Sequence, residues 1–396
     1  MDLESFLVAT PPPSFRREPC RVLFPLGAGL AAVAVLPFAA GGAGGSSLAL
    51  FHSVAQIQGF LTCFLVGVLF TVVPRQTGTT APAPWQLAAA ILLPVLSVAL
   101  AFDGSQTLAH LAWLALAVIA VEFAARRLAG ARGRHALEPV LLWVPMSLAA
   151  GAGGAALIAA SSWLDLHSGL KAWAIGRGLL VQGLVAGFVV AAGGALVQRS
   201  RHPRPASAAQ AGAHRRRALA WHAALALAFF SSFPIEVLVS VRIGFALRAL
   251  VPLAVLVWAA RIRPAPVIAG LQGWLAWAGA WLVPLGFVMG ALFPRLRGAA
   301  LHVVFVGGFA QLALVLSSHL LLPFEDGSAG PPNRWALRGM AALLAIAFAG
   351  RILAGIDFGH VPLWLSIAAL AFLAALAAWG VVIGPALRQA RFTSRR

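Results

Sequence analysis

"FHSVAQIQGFLTCFLVGVLFTVVPRQTG", from Phe51 to Gly78, decides the fold. Residues 48–73 contain no Asp, Glu, Lys or Arg, and a helix needs only about 20 apolar residues to cross the hydrocarbon of a bilayer. The stretch therefore reads as a membrane span. Its head is the anomaly: His52, Gln56 and Gln58 place an imidazole and two amides at the start of a segment that otherwise suits oil. Polar groups inside spans are costly and face a cavity, a partner or a cofactor.

The rest of the chain has the same character. Hydrophobic residues make up 61% of it, charged residues 10%, and its mean hydropathy is +0.89, whereas soluble domains carry about 25% charged residues. Further apolar runs of span length lie near 22–40, 85–102, 106–125, 138–160, 174–197, 218–239, 243–260, 270–291, 299–322, 336–355 and 361–383. The expectation is an all-α polytopic membrane protein with about 12 transmembrane helices and the lipid bilayer as its main partner. The 20-residue segment "QRSRHPRPASAAQAGAHRRR", 198–217, reads as a cytoplasmic linker between two six-helix halves, 1–197 and 218–396, the first opening with a cytoplasmic tail over 1–21.

The net charge of +18 raises the question of nucleic acid, and the distribution answers it. Of the 29 lysines and arginines, only Lys171, Arg177, Arg242, Arg295 and Arg297 fall in alternate connections, and Arg248 and Arg351 fall within spans. The others crowd the tails and the remaining connections. That bias orients spans with both termini in the cytoplasm and presents no basic face to phosphate. The acidic, proline-rich "MDLESFLVATPPPSF" has no signal-peptide pattern. Cys20 and Cys63 make no disulfide framework, and Cys63 reads as a small packing residue.

With that orientation, His52, His110 and His302 open the second, fourth and tenth spans, and with His360 they gather towards the outer face. Imidazole is the commonest side-chain ligand of copper and haem iron. His52 and Gln56, four apart, share a helix face, so Gln56 is expected to orient the imidazole. Gln58 points elsewhere. Gln182 and Gln311 are amides suited to bonding helix to helix, and the spacings Gly183/Gly187 and Gly286/Gly290 suit close helix packing. No carboxylate pair, phosphate-binding glycine loop or thiolate motif stands out, and no reaction follows from the residues. A carrier of a small solute, or a cofactor-free partner of a respiratory complex, is compatible with the same pattern.

The opening stretch resembles the NnrS family of bacterial membrane proteins. That family's pattern is similar to W-H-x-H-E-x-x-F-G-F, an apolar run, and T-x-V-P-x-x-T-G. Here Phe51-His52 and Gly59-Phe60 match the first part, and Thr71, Val73, Pro74, Thr77 and Gly78 the ending. "ALHVVFVG" resembles a second motif, A-L-H-x-x-x-V-G, with His302, Val306 and Gly307 in place. Val54 and Ala55 stand where the family has His and Glu, and Gln58 where it has an aromatic residue. The resemblance implies an inner-membrane protein that binds haem and/or copper. His52 and His302 would be metal ligands, with His110 and Gln56 as further cofactor-binding candidates. It also implies a role with nitric oxide, or another small diatomic, in nitric oxide metabolism or nitrosative stress.

Overall fold

The computed structural model describes residues 16–41, 45–130, 139–199, 208–259, 266, 270–322 and 333–393. Most of the expected N-terminal tail, the centre of the expected linker with His202, and His135 lie outside them. Twelve helices follow in chain order: α1 (Cys20–Ala39), α2 (Ser47–Thr77), α3 (Pro84–Phe102), α4 (Gln106–Gly130), α5 (Pro139–Trp163) and α6 (Leu166–Ala191). Then come α7 (Ala208–Leu238) and α8 (Val241–Ala254), followed by α9 (Gly270–Leu292), α10 (Pro294–Leu321), α11 (Arg334–Leu353) and α12 (Phe358–Arg388).

Among the described residues, 11 helices have the length and composition to cross a membrane. The protein is an all-α, multi-pass membrane protein. The remaining helix, α8, continues as a π turn over Val255–Ala259 and carries Arg242 and the fully buried Arg248. Helix α7 begins inside the segment read as a linker. Its Ala-, Gln- and Arg-rich start, "AAQAGAHRRRALA", consists mainly of strong helix formers, which explains why residues 208–217 are helical.

Leu92, Phe102, Leu227, Leu250 and Leu370 point outward from the bundle. In water such side chains would be a liability; against lipid they are the expected surface. The interior is built around α2, α6 and α10, whose most apolar windows are 83%, 67% and 56% buried, against 50% or less for the other spans. Each of these central helices contains a π turn: Ala55–Leu61, Leu179–Gly183 and Val303–Ala310. Each turn also contains glycine (Gly59, Gly183, Gly307 and Gly308), which lowers the cost of leaving regular α geometry.

The two halves are not separate bodies. Helix α1 packs on α2 and on α12, and α10 touches both α1 and α2. Close approach relies on small residues where helices cross. A Cβ at Gly154 of α5 would lie 2.6 Å from the Gly176 carbonyl oxygen of α6, and one at Gly176 would lie 2.6 Å from Gly154 O. Gly286 fits the same logic, since a Cβ there would meet Ala300 O at 2.8 Å.

The exit of α2 shows what its motif residues do locally. Gly78 takes the left-handed conformation (φ 66°), a helix stop that glycine adopts without strain, and Thr79 N–H donates to Pro74 O. Thr77 Oγ1 donates to Val73 O, and Thr71 Oγ1 accepts from the Cys20 N–H at the start of α1. At the same end Glu18 pairs with Arg21 and, at 2.7 Å, with Arg75, while Arg21 Nη1 donates to Ala386 O of α12. The second half of the opening stretch is thus a helix terminus and a docking point for α1.

Candidate functional site

At the other end of α2 the polar residues divide between two faces. His52 Nδ1 donates to Ala34 O of α1 at 3.0 Å, and Phe38 sets its ring edge-on to the imidazole, with centroids 5.1 Å apart. This bond places the ring proton on Nδ1 and leaves a lone pair on Nε2. Among the described residues no group hydrogen-bonds that Nε2. Gln56, one turn on, donates to Ala31 O at 3.3 Å. The hydrogen bond expected from Gln56 to His52 is therefore not made. The carbonyls of α1 take that role, because α1 runs directly along this face of α2.

His302 opens the π turn of α10. Its Nδ1 donates to Gly298 O at 2.7 Å, and its Nε2 accepts from Nη2 of Arg351 on α11 at 2.6 Å. Both imidazole nitrogens are engaged. His52 lies within electrostatic reach of His302, and Arg351 within reach of both. The fold thus sets two of the expected residues, from opposite halves of the chain, within electrostatic reach of one another and adds an arginine, whose Nε is buried without a partner among the described residues.

His110 belongs to a different cluster. Gln58 Nε2 donates to His110 Nδ1 at 2.5 Å, and Ser97 Oγ donates to Gln58 Oε1 at 2.6 Å while lying 3.0 Å from Ala109 O. All three side chains are buried. This network ties α2 to α3 and α4 and borders a cavity of about 130 Å³ between α2, α4, α5 and α6. Val54, at the position where the family pattern has a second histidine, lines that cavity and does not share the face of His52. The substitution at 54 therefore changes the cavity, not the surroundings of His52.

The remaining expected groups take other roles. Gln182 Oε1 accepts from the buried Arg248 at 2.6 Å, and Gln311 Nε2 donates to Leu275 O at 2.6 Å, so both amides join helices as anticipated. His222 is buried and accepts from Trp143 Nε1 at 3.3 Å. His360 stands exposed beside Asp357 and is not part of the His52 pair. Cys63 is fully buried against Gly27, as a packing residue should be. Among the described residues, no three His, Cys, Asp or Glu side chains gather as a metal cluster.

Two arginines that sequence reasoning left as charges within spans prove central. Arg351 binds His302, and Arg248 bonds Gln182 and pairs with Glu236. Their signal was their depth, since a guanidinium in mid-span has to find a partner. Comparison with curated proteins returns no match. The family model described as NnrS protein matches residues 14–391, nearly the whole chain. The chain belongs to the NnrS family.

Proposed function

We propose that the chain is a bacterial inner-membrane haem protein acting in nitric oxide metabolism or the response to nitrosative stress. His52 serves as the imidazole ligand at the outer side of the membrane, with His302 and Arg351 beside it. The observation that carries this reading is the state of His52. A ligand imidazole donates its other N–H to a carbonyl, which fixes the tautomer and aims the lone pair, and Ala34 O provides that bond. One free imidazole fits haem iron, which takes a single proximal histidine.

Copper fits less directly. His302 becomes a second donor only when Arg351 releases its Nε2, since that lone pair accepts the guanidinium N–H. Haem, when bound, supplies an iron coordination position for a small diatomic such as nitric oxide. The chain supplies the ligand, a cation at Arg351, and an apolar surround that includes Phe38. His110 and Gln56 act outside this pair, His110 towards the cavity and Gln56 as a tie to α1.

The test is an optical spectrum with metal analysis on protein purified after expression with haem and copper supplied. The reading expects a Soret band in the wild type, its loss in His52→Ala, and its retention in His110→Gln. Absence of haem from the wild type, or an unchanged Soret band in His52→Ala, overturns it.

A further inference from the structure

The cavity between α2, α4, α5 and α6 is separate from the His52 pair in its lining and in its chemistry. Ser53, Gln58, Thr107, His110, Ser161 and Arg177 supply polar groups of its wall, and among the described residues no carboxylate lines it. Gln58 donates to His110 Nδ1, so the ring proton sits on Nε2. That nitrogen has no hydrogen-bond partner among the described residues, although His110 is only 7% exposed. It is a donor without a protein partner on a side chain that lines the cavity.

Arg177 lines the cavity beside Trp173, its guanidinium 5.4 Å from the ring centroid. It has no acidic partner among the described residues, and Arg297 is a second cation within its electrostatic reach. Arg248, a buried cation that bonds Gln182 of the helix that carries Arg177, is already paired with Glu236. The wall therefore offers an unpaired positive charge and an unused imidazole N–H, whereas Ser161 Oγ already donates to Ile158 O and Gln58 Nε2 to His110. A volume of about 130 Å³ is well above the roughly 10–15 Å³ that admits one water, so it accommodates an anion of three or four heavy atoms with some water.

We infer that this cavity is a binding site for a small monovalent oxoanion of the formate or nitrate class, held by Arg177 and His110. A forked guanidinium and a separate imidazole N–H favour a planar oxoanion over a halide, because each oxygen accepts separately. The site stands independently of the haem reading, and the purified full chain tests it.

The experiment is isothermal titration of the purified full chain in detergent with sodium formate and sodium nitrate at constant ionic strength. Formamide serves as the neutral counterpart of formate. Because His110 is buried, the exposed Arg177 carries the test, with Arg177→Gln, Arg177→Lys and the loop control Arg295→Gln. The expected result is saturable binding of formate or nitrate. It weakens about tenfold or more in Arg177→Gln, as loss of a charge-assisted contact implies, and is largely kept in Arg177→Lys and Arg295→Gln. No saturable binding of either anion overturns the assignment. So does equal affinity in Arg177→Gln, an equal loss in Arg295→Gln, or formamide binding as well as formate.

Discussion

Replacing Arg248 with methionine tests how the bundle holds a charge in its interior. The guanidinium is fully buried. Its Nη1 donates to Gln182 Oε1 at 2.6 Å, its Nε to Gly244 O at 3.2 Å, and its Nη2 pairs with Glu236 Oε2. Phe245 and Phe233 face it at 4.2 Å and 4.7 Å from their ring centroids. Arg248→Met puts a shorter, apolar side chain in place of the guanidinium and strands the Glu236 carboxylate, which is 16% exposed and left with Arg297 at 3.9 Å. Breaking a buried pair from one side costs about 3–5 kcal/mol. The residual Arg297 contact and the partial exposure of Glu236 place this case near the lower end, about 3 kcal/mol. Removing the stranded charge as well, in Arg248→Met/Glu236→Gln, recovers most of the loss. Unfolding in detergent followed by circular dichroism measures all four corners of the cycle. A single variant as stable as wild type, or a double variant no better than Arg248→Met, refutes the reasoning.

Two further outcomes follow from local geometry. Gly154→Val drives a side chain into the carbonyl of Gly176 and destabilises by about 1–3 kcal/mol, as overpacking does, whereas Gly153→Ala, which meets nothing within 4 Å, is close to neutral; thermal unfolding of both variants checks the contrast. Asp165 caps α6: the Ser168 hydroxyl and the N–H groups of Ser168 and His167 donate to it and hold its carboxyl below the ordinary value of 3.8. A depressed folded-state pKa contributes stability above the unfolded value and loses it as pH falls through the folded one. Asp165→Ala therefore lowers the melting temperature at pH 7, and the gap from wild type closes progressively below pH 3.8.

The helices were legible because the bilayer leaves few alternatives: uncharged runs of about 20 residues must be helical to satisfy their own backbone. The start of α7 was not, since Arg-rich sequence within a proline-bearing segment reads as linker, although its alanines and glutamine favour helix. The nearness of His52 and His302, which lie within electrostatic reach of one another, was legible only as a shared depth. What sets their chemistry is Ala34 O and Arg351, 18 and 49 residues away in the chain, and no local pattern encodes such partners. Gln56 shows the limit of helical spacing: it lies one turn from His52, yet α1 offers both residues backbone carbonyls, and each takes its own. Val54 shows the converse. Two residues from His52, it turns to another face, so this departure from the family pattern falls on the wall of the cavity.

The central claim is that His52 Nε2 is the ligand of a haem iron. Its most direct test is chemical rescue: His52→Gly is purified after expression with haem and titrated with imidazole while the Soret region is recorded. The account predicts that the variant lacks the wild-type band and that imidazole restores it saturably, while the same titration leaves His302→Gly unchanged. A wild-type spectrum in His52→Gly before any imidazole is added would contradict it.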